Sequence, residues 1–122
     1  MDSILNSIKK LLGITPDYTQ FDPDIIMHIN AAFLTLREIG VGPATGFSIT
    51  DASDEWQDFV EDETLLGAAR IYVYQKVRLA FDPPTNSALL EALKSSTQEI
   101  EWRMNVLVDP ATNNGFDAVE GE

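Results

Sequence analysis

A single histidine, His28, is the only side chain of this 122-residue sequence whose ordinary pKa suits proton exchange near neutral pH. It lies between Met27 and Ile29, with no cysteine in the chain and no serine in a recognisable nucleophile setting. Without a nucleophile to activate it is expected to be a surface or packed structural residue. The acidic run at residues 51–63 (DASDEWQDFVEDE) invites a calcium reading, but a calcium loop begun at Asp51 needs glycine where Trp56 stands. Its last ligand position holds Asp62 instead of glutamate, which leaves loose attraction of cations by clustered carboxylates. Gly40, Gly42 and Gly46 neither follow a strand nor open a phosphate-binding helix, so they read as a helix stop and turns. No phosphate-loop lysine and no zinc-protease motif occurs, and without cysteine there is no disulfide, thiolate metal site or iron–sulfur cluster. The residues predict no catalytic set, no metal site and no cofactor.

The elements that would position any functional surface read as helices. Ile4, Leu5, Ile8, Leu11 and Leu12 recur at helical spacing, with Lys9 and Lys10 assigned to the other face, Asp2 or Ser3 as cap and Gly13 as stop. The sequence FDPD then opens a second helix, with Asp22 as cap and Pro23 in the first turn, where its missing N–H costs nothing. Its apolar stripe runs through Ile25, Ile26, Ile29, Ala32, Phe33 and Leu36 up to Gly40. Residues 40–50 predict a loop with a short extended piece at 47–50. Ser53 or Asp51 would cap a short helical turn containing Trp56, Phe59 and Val60. Asp62 caps a long helix over 63–81, whose wide apolar arc marks it as central and which ends at Asp82, Pro83 and Pro84. A last long helix over 87–106 repeats Leu90, Leu93, Thr97, Ile100, Met104 and Leu107 as a seam. The predicted class is all-α, four main helices plus one short helical turn. A helical domain fills residues 1–107, followed by a flexible acidic carboxy-terminal tail at 108–122.

Charge sharpens what such a bundle can do. The formal net charge is −12, from twenty acids and eight bases. Residues 51–63 hold seven acids, residues 109–122 hold four, and neither stretch holds a base. The helical body is therefore nearly neutral. Nucleic-acid binding rests on basic stripes that neutralise phosphate, so tight DNA or RNA binding is disfavoured, as is attachment to an anionic membrane. No apolar run approaches the ~20 residues of a membrane span, and no signal peptide is visible, so a protein made in the cytoplasm is expected.

Three features point to assembly. Trp102 stands on the polar face of the last helix among Glu99, Glu101 and Arg103, either as an interface anchor or packed beneath the tail or a loop. Lys76 falls within the apolar arc of the central helix, so that it either extends its stem outward to solvent or reaches a carboxylate on a neighbouring subunit. The tail is too polar to fold alone yet carries Phe116 and Val119, consistent with a segment that orders on a partner or with plain disorder. With Met104 and Leu107 from the end of the seam, these residues form the candidate interface for assembly.

In order, SILNSIKKLLGI, FDPDIIMHINAAFLTLREIGVGP and ARIYVYQKVRLAFDPPTNSALLEALKSSTQEIEWRMNV resemble the tailed-phage head–tail connector (adaptor, or head-completion) proteins of the gp6-like kind, over residues 2–107. That resemblance implies a small helical virion subunit, located at the neck, that forms a ring under the portal, commonly twelvefold. Such a ring extends the DNA channel and docks the next neck or tail component. It also implies portal contact by the carboxy-terminal segment, here residues 105–122. DNA that must slide past should not be bound, and Asp54, Glu55, Asp58, Glu61, Asp62 and Glu63 are the candidate repelling surface, with a solvated outer face as the alternative. The competing functional reading is an acidic helical binding module, a DNA mimic or inhibitor of a basic partner, which would act as a monomer or dimer.

Overall fold

The computed structural model describes residues 3–108. Five helices follow in order: α1 (Ile4–Leu11), α2 (Asp22–Ile39), α3 (Trp56–Phe59), α4 (Glu63–Phe81) and α5 (Ser87–Val108). The four long helices and the short turn are those read from the sequence, with α5 reaching two residues further than the seam predicted. The expected cap Asp2 and the tail from Asp109 onward lie outside the described residues.

The central pair is α2 and α4, and α5 packs against α4 and also touches α2. Phe21 and His28 at the start of α2 meet Phe81 at the end of α4, so the two run antiparallel. Alternating direction and short connections are the usual solution for burying successive apolar stripes against one another. The core draws on both stripes: Ile25, Ile29, Phe33 and Leu36 from α2, and Ala69, Tyr72, Val73 and Val77 from α4, all fully buried or nearly so. At the end where α4 begins, Phe33 meets Phe47, Trp56 and Phe59 with ring centroids 5.1, 6.1 and 4.6 Å away. Gly42 has φ +92° beside this cluster, and a Cβ there would run into the Phe59 ring, so both backbone and space require glycine.

The first helix departs from expectation in an instructive way. Ser3 caps it, accepting from the Asn6 amide, and Ile4, Leu5 and Ile8 are buried as predicted. Lys9, expected on the outer face, is completely buried. The loop after α1 folds back over it, and its ammonium donates to the carbonyls of Pro16 at 3.0 Å and Tyr18 at 2.8 Å. Its third partner is the Asp22 carboxylate at 2.8 Å. Asp22 is accordingly not the cap that FDPD suggests. It is the first residue of α2, the capping position is Phe21, and no side chain caps the helix. The carboxylate is still close to the positive end of the α2 dipole, where a negative charge is favoured, but it is spent on Lys9.

The loop at 40–50 contains the extended piece without a strand to pair it. The Asn30 amide takes that role: it accepts from the Ile49 amide at 2.8 Å and donates to the Ile49 carbonyl at 3.0 Å. A buried isoleucine thus keeps both backbone groups satisfied. On α5 the predicted seam engages α4 through Thr97 and Met104, and the Gln75 amide bridges Ser96 and Thr97 at 3.1 and 3.0 Å.

Because the three donors of Lys9 are all used in a buried site, removing them strands a carboxylate and two carbonyls. Lys9→Met is expected to destabilise by about 3–5 kcal/mol, whereas Lys10→Met on the exposed face should change stability by less than about 0.5 kcal/mol. Urea unfolding of the two variants measures the contrast, and equal midpoints would refute it.

Candidate functional site

The acidic run is built as a set of caps. Asp51 accepts from the Ser53 amide and hydroxyl at 2.8 and 2.5 Å, and these bonds hold its carboxyl below the usual range. Asp54 accepts from the Thr50 amide at 2.8 Å, while its own carbonyl accepts from Ile4 at 3.0 Å. Glu55, and neither Ser53 nor Asp51, caps α3, in a capping box with Asp58. Asp62 caps α4 as predicted, accepting from Thr64 and Leu65 at 2.8 and 3.2 Å. Of the six residues proposed for a repelling surface, Asp54, Glu55, Asp58 and Asp62 therefore have local structural duties. Glu63 is exposed in the first turn of α4, where its charge favours the helix dipole, and Glu61 is exposed with no such duty among the described residues. This division was hidden in the sequence, where all seven acids look alike. The segment is also locked to the amino terminus by an antiparallel bridge between Ser3 and Glu55, and by the Trp56 indole, which donates to the Ser7 hydroxyl at 2.8 Å.

No cluster of three potential metal-ligating side chains exists among the described residues, and no described helix is long and apolar enough to cross a membrane. His28 is half-buried, 6.5 Å from the Phe81 ring, on the wall of a groove between α2 and α4. That groove has a volume of about 370 Å³ and is lined by His28, Ala31, Ala32, Thr35, Lys76, Leu79 and Ala80. A larger depression of about 680 Å³ runs between α1 and α4, with Lys10, Arg70 and the hydroxyls of Ser3, Ser7 and Thr15 on its walls. In neither does a nucleophile meet a base.

The candidate interface residues divide. Trp102 is 65% exposed and Leu107 51% exposed, so both present apolar surface outward. Met104 does not: it is fully buried in the subunit's own core because the seam turns it toward α4, and it is withdrawn from the interface set. Lys76 is half-buried, with its ammonium 6.0 Å from the centre of the Tyr72 ring, and pairs with no carboxylate among the described residues. Phe116 and Val119 lie outside the described residues. Met27 and Leu34, exposed on the outer face of α2, are apolar surface that the sequence reading passed over. A seven-residue spacing on one helix face was the available signal.

Beneath the groove, Tyr72 is wholly buried and its hydroxyl has no hydrogen-bond partner. Burial, with the Glu101 carboxylate second, pushes its pKa up to about 12, against a small opposing effect of the nearby Thr35 hydroxyl.

The described residues form an all-helical fold whose acidic run is occupied in caps and turns and whose outer faces carry large apolar side chains. Residues 4–111 match the family described as phage connector protein, and the chain belongs to that family. It is a structural virion component of a bacteriophage, in line with the resemblance drawn from the sequence. No match is found among curated proteins or among solved structures.

The raised Tyr72 pKa fixes a sign. The fold prefers the neutral phenol, so its contribution is complete below the ordinary value of 10.0 and is lost as pH rises toward about 12. Tyr72→Phe is expected to stabilise the protein by about 1 kcal/mol at neutral pH, since the unpartnered hydroxyl no longer has to be buried. Thermal melts should also show the variant losing less stability than wild type above pH 10. Parallel pH profiles would contradict the assignment.

Proposed function

We propose that the protein is a head–tail connector subunit of the gp6-like kind, one copy in a homo-oligomeric ring seated under the portal, twelvefold in the virion. The ring extends the DNA channel and docks the next neck or tail-completion component, and residues 105–122, with Phe116 and Val119, form the arm that contacts the portal. The observation that carries this reading is membership of the phage connector family over residues 4–111. The distribution of charge supports it. Subunits that pack side by side need bodies of low net charge, and eleven of the twelve net negative charges fall in residues 51–63 and 109–122. Apolar contact supplies the driving force for assembly, while charge governs specificity and the passage of DNA.

Repetition around a ring multiplies the charge of residues 51–63 into a field that screening limits to about 8 Å at physiological salt. A surface of that sign facing the channel would let phosphates slide past. Like charges also oppose ring closure, so isolated subunits should assemble weakly, more readily at raised salt, and firmly on a portal. Mass measurement and negative-stain imaging with and without portal protein test this. A ring of isolated protein that persists at very low salt would count against it, and a monomer that ignores the portal and binds a nuclease would establish the inhibitor reading instead.

Glu61 allows the channel to be tested without disturbing a cap or a helix terminus. Portal-seated rings carrying Glu61→Lys should melt as wild type does and should retain double-stranded DNA in a filter assay that portal-seated wild-type rings fail. Unchanged DNA retention would remove this segment from the channel wall.

A further inference from the structure

A knob and a hole stand on different helices of this protein, and none of the described residues uses either. The knob is Trp102, on the side of α5 turned away from the α4 seam and the most exposed of the large apolar side chains among the described residues. The hole is the groove of about 370 Å³ between α2 and α4. We propose that Trp102 of one copy seats in the α2–α4 groove of the next, an assignment that rests on the homo-oligomeric ring proposed above and names its subunit contact.

Shape, charge and geometry support a second copy as the occupant. The floor and edges of the groove come from Ala31, Ala32 and Ala80, which project no atom beyond Cβ and leave a slot suited to a flat ring. Thr35 on its wall offers a hydroxyl to accept from the indole N–H, the kind of partner a buried tryptophan needs. Lys76 brings an ammonium that already lies against one aromatic ring, Tyr72, and can stack on a second. The groove holds Lys76 and no carboxylate, while Trp102 stands between Glu101 and the Glu99–Arg103 ion pair at 2.6 Å, so the surround of the knob keeps one net negative charge against the cation of the hole. Exposed Met27 and Leu34 on α2, next to the groove wall at His28 and Ala31, extend the apolar border. A contact between two different faces is heterologous, so every copy offers one knob and one hole. Repetition then closes a ring when the rotation permits.

The test uses the full chain and two variants at exposed positions. Trp102→Ala removes the knob and keeps the hole, and Ala31→Arg fills the hole and keeps the knob, with circular dichroism confirming that both fold. By sedimentation velocity at raised salt, each variant alone should be monomeric, with self-association weakened on the order of thirtyfold or more, as for an interface anchor. Trp102→Phe should weaken it less. An equal mixture of the two variants should form a dimer and nothing larger, because one knob and one hole remain between them. In wild type, acrylamide quenching should decline as the protein assembles, since Trp102 is exposed and Trp56 fully buried in the subunit. A mixture that stays monomeric, or rings formed by Trp102→Ala, would overturn this contact and leave the connector reading standing. Loss of portal binding by Trp102→Ala with self-assembly intact would make the portal the occupant and overturn it likewise. Wild type that is monomeric both alone and with portal would overturn the ring and the contact together.

Discussion

A buried ammonium organises this subunit. Lys9 has no exposed surface, and its three donors fasten three parts of the chain at one point: the loop carbonyls of Pro16 and Tyr18, and the first residue of α2. Desolvating a lysine is costly, and the cost is met only if the charge is paired and every donor satisfied. The path of residues 13–21 is thereby pinned at two carbonyls by the same ammonium. That path in turn delivers Phe21 to Phe81 and starts α2 antiparallel to α4.

The acidity of the chain has a different cause from the one its composition suggests. A run of seven acids invites an account in terms of long-range field, yet five of the seven accept hydrogen bonds from neighbouring backbone amides. One turn and two helix starts follow one another within thirteen residues, and each needs an acceptor for otherwise orphaned N–H groups. Field and cap are compatible, because a capping carboxylate remains charged and often exposed. Still, selection for the local role alone would concentrate acids here.

How much could be read from the sequence follows from the range of the interactions. Helices α2, α4 and α5 were legible because periodicity, the FDPD and Asp62 starts and the double proline act within a few residues. The cap at Asp62 is local and was read correctly; Asp22 has the same local signature but answers to Lys9, thirteen positions away, and was not. Lys9 itself sits at the edge of an apolar stripe, where a wheel cannot decide between solvent and interior until the next loop is placed. Asn30, which completes the backbone of Ile49 like a missing strand, gives no sign of this in its own neighbourhood. Met104 belonged to the seam and also to the interface set, and only the packing of α5 on α4 separates the two. The connector family was legible only through the resemblance of three long segments taken in order, since no single motif signals it.

The last helix is the longest, yet only Thr97 and Met104 along its 22 residues are fully buried. Met104 nevertheless belongs to the same core as α1 through α4, Ile100 and Val108 pack beside it, and Gln75 ties Ser96 and Thr97 to α4. The helix is thus held along one narrow seam, and most of its length is outward surface. Side chains there can change with little effect on the core that anchors them, so α5 can vary its outer face while keeping its place in the fold.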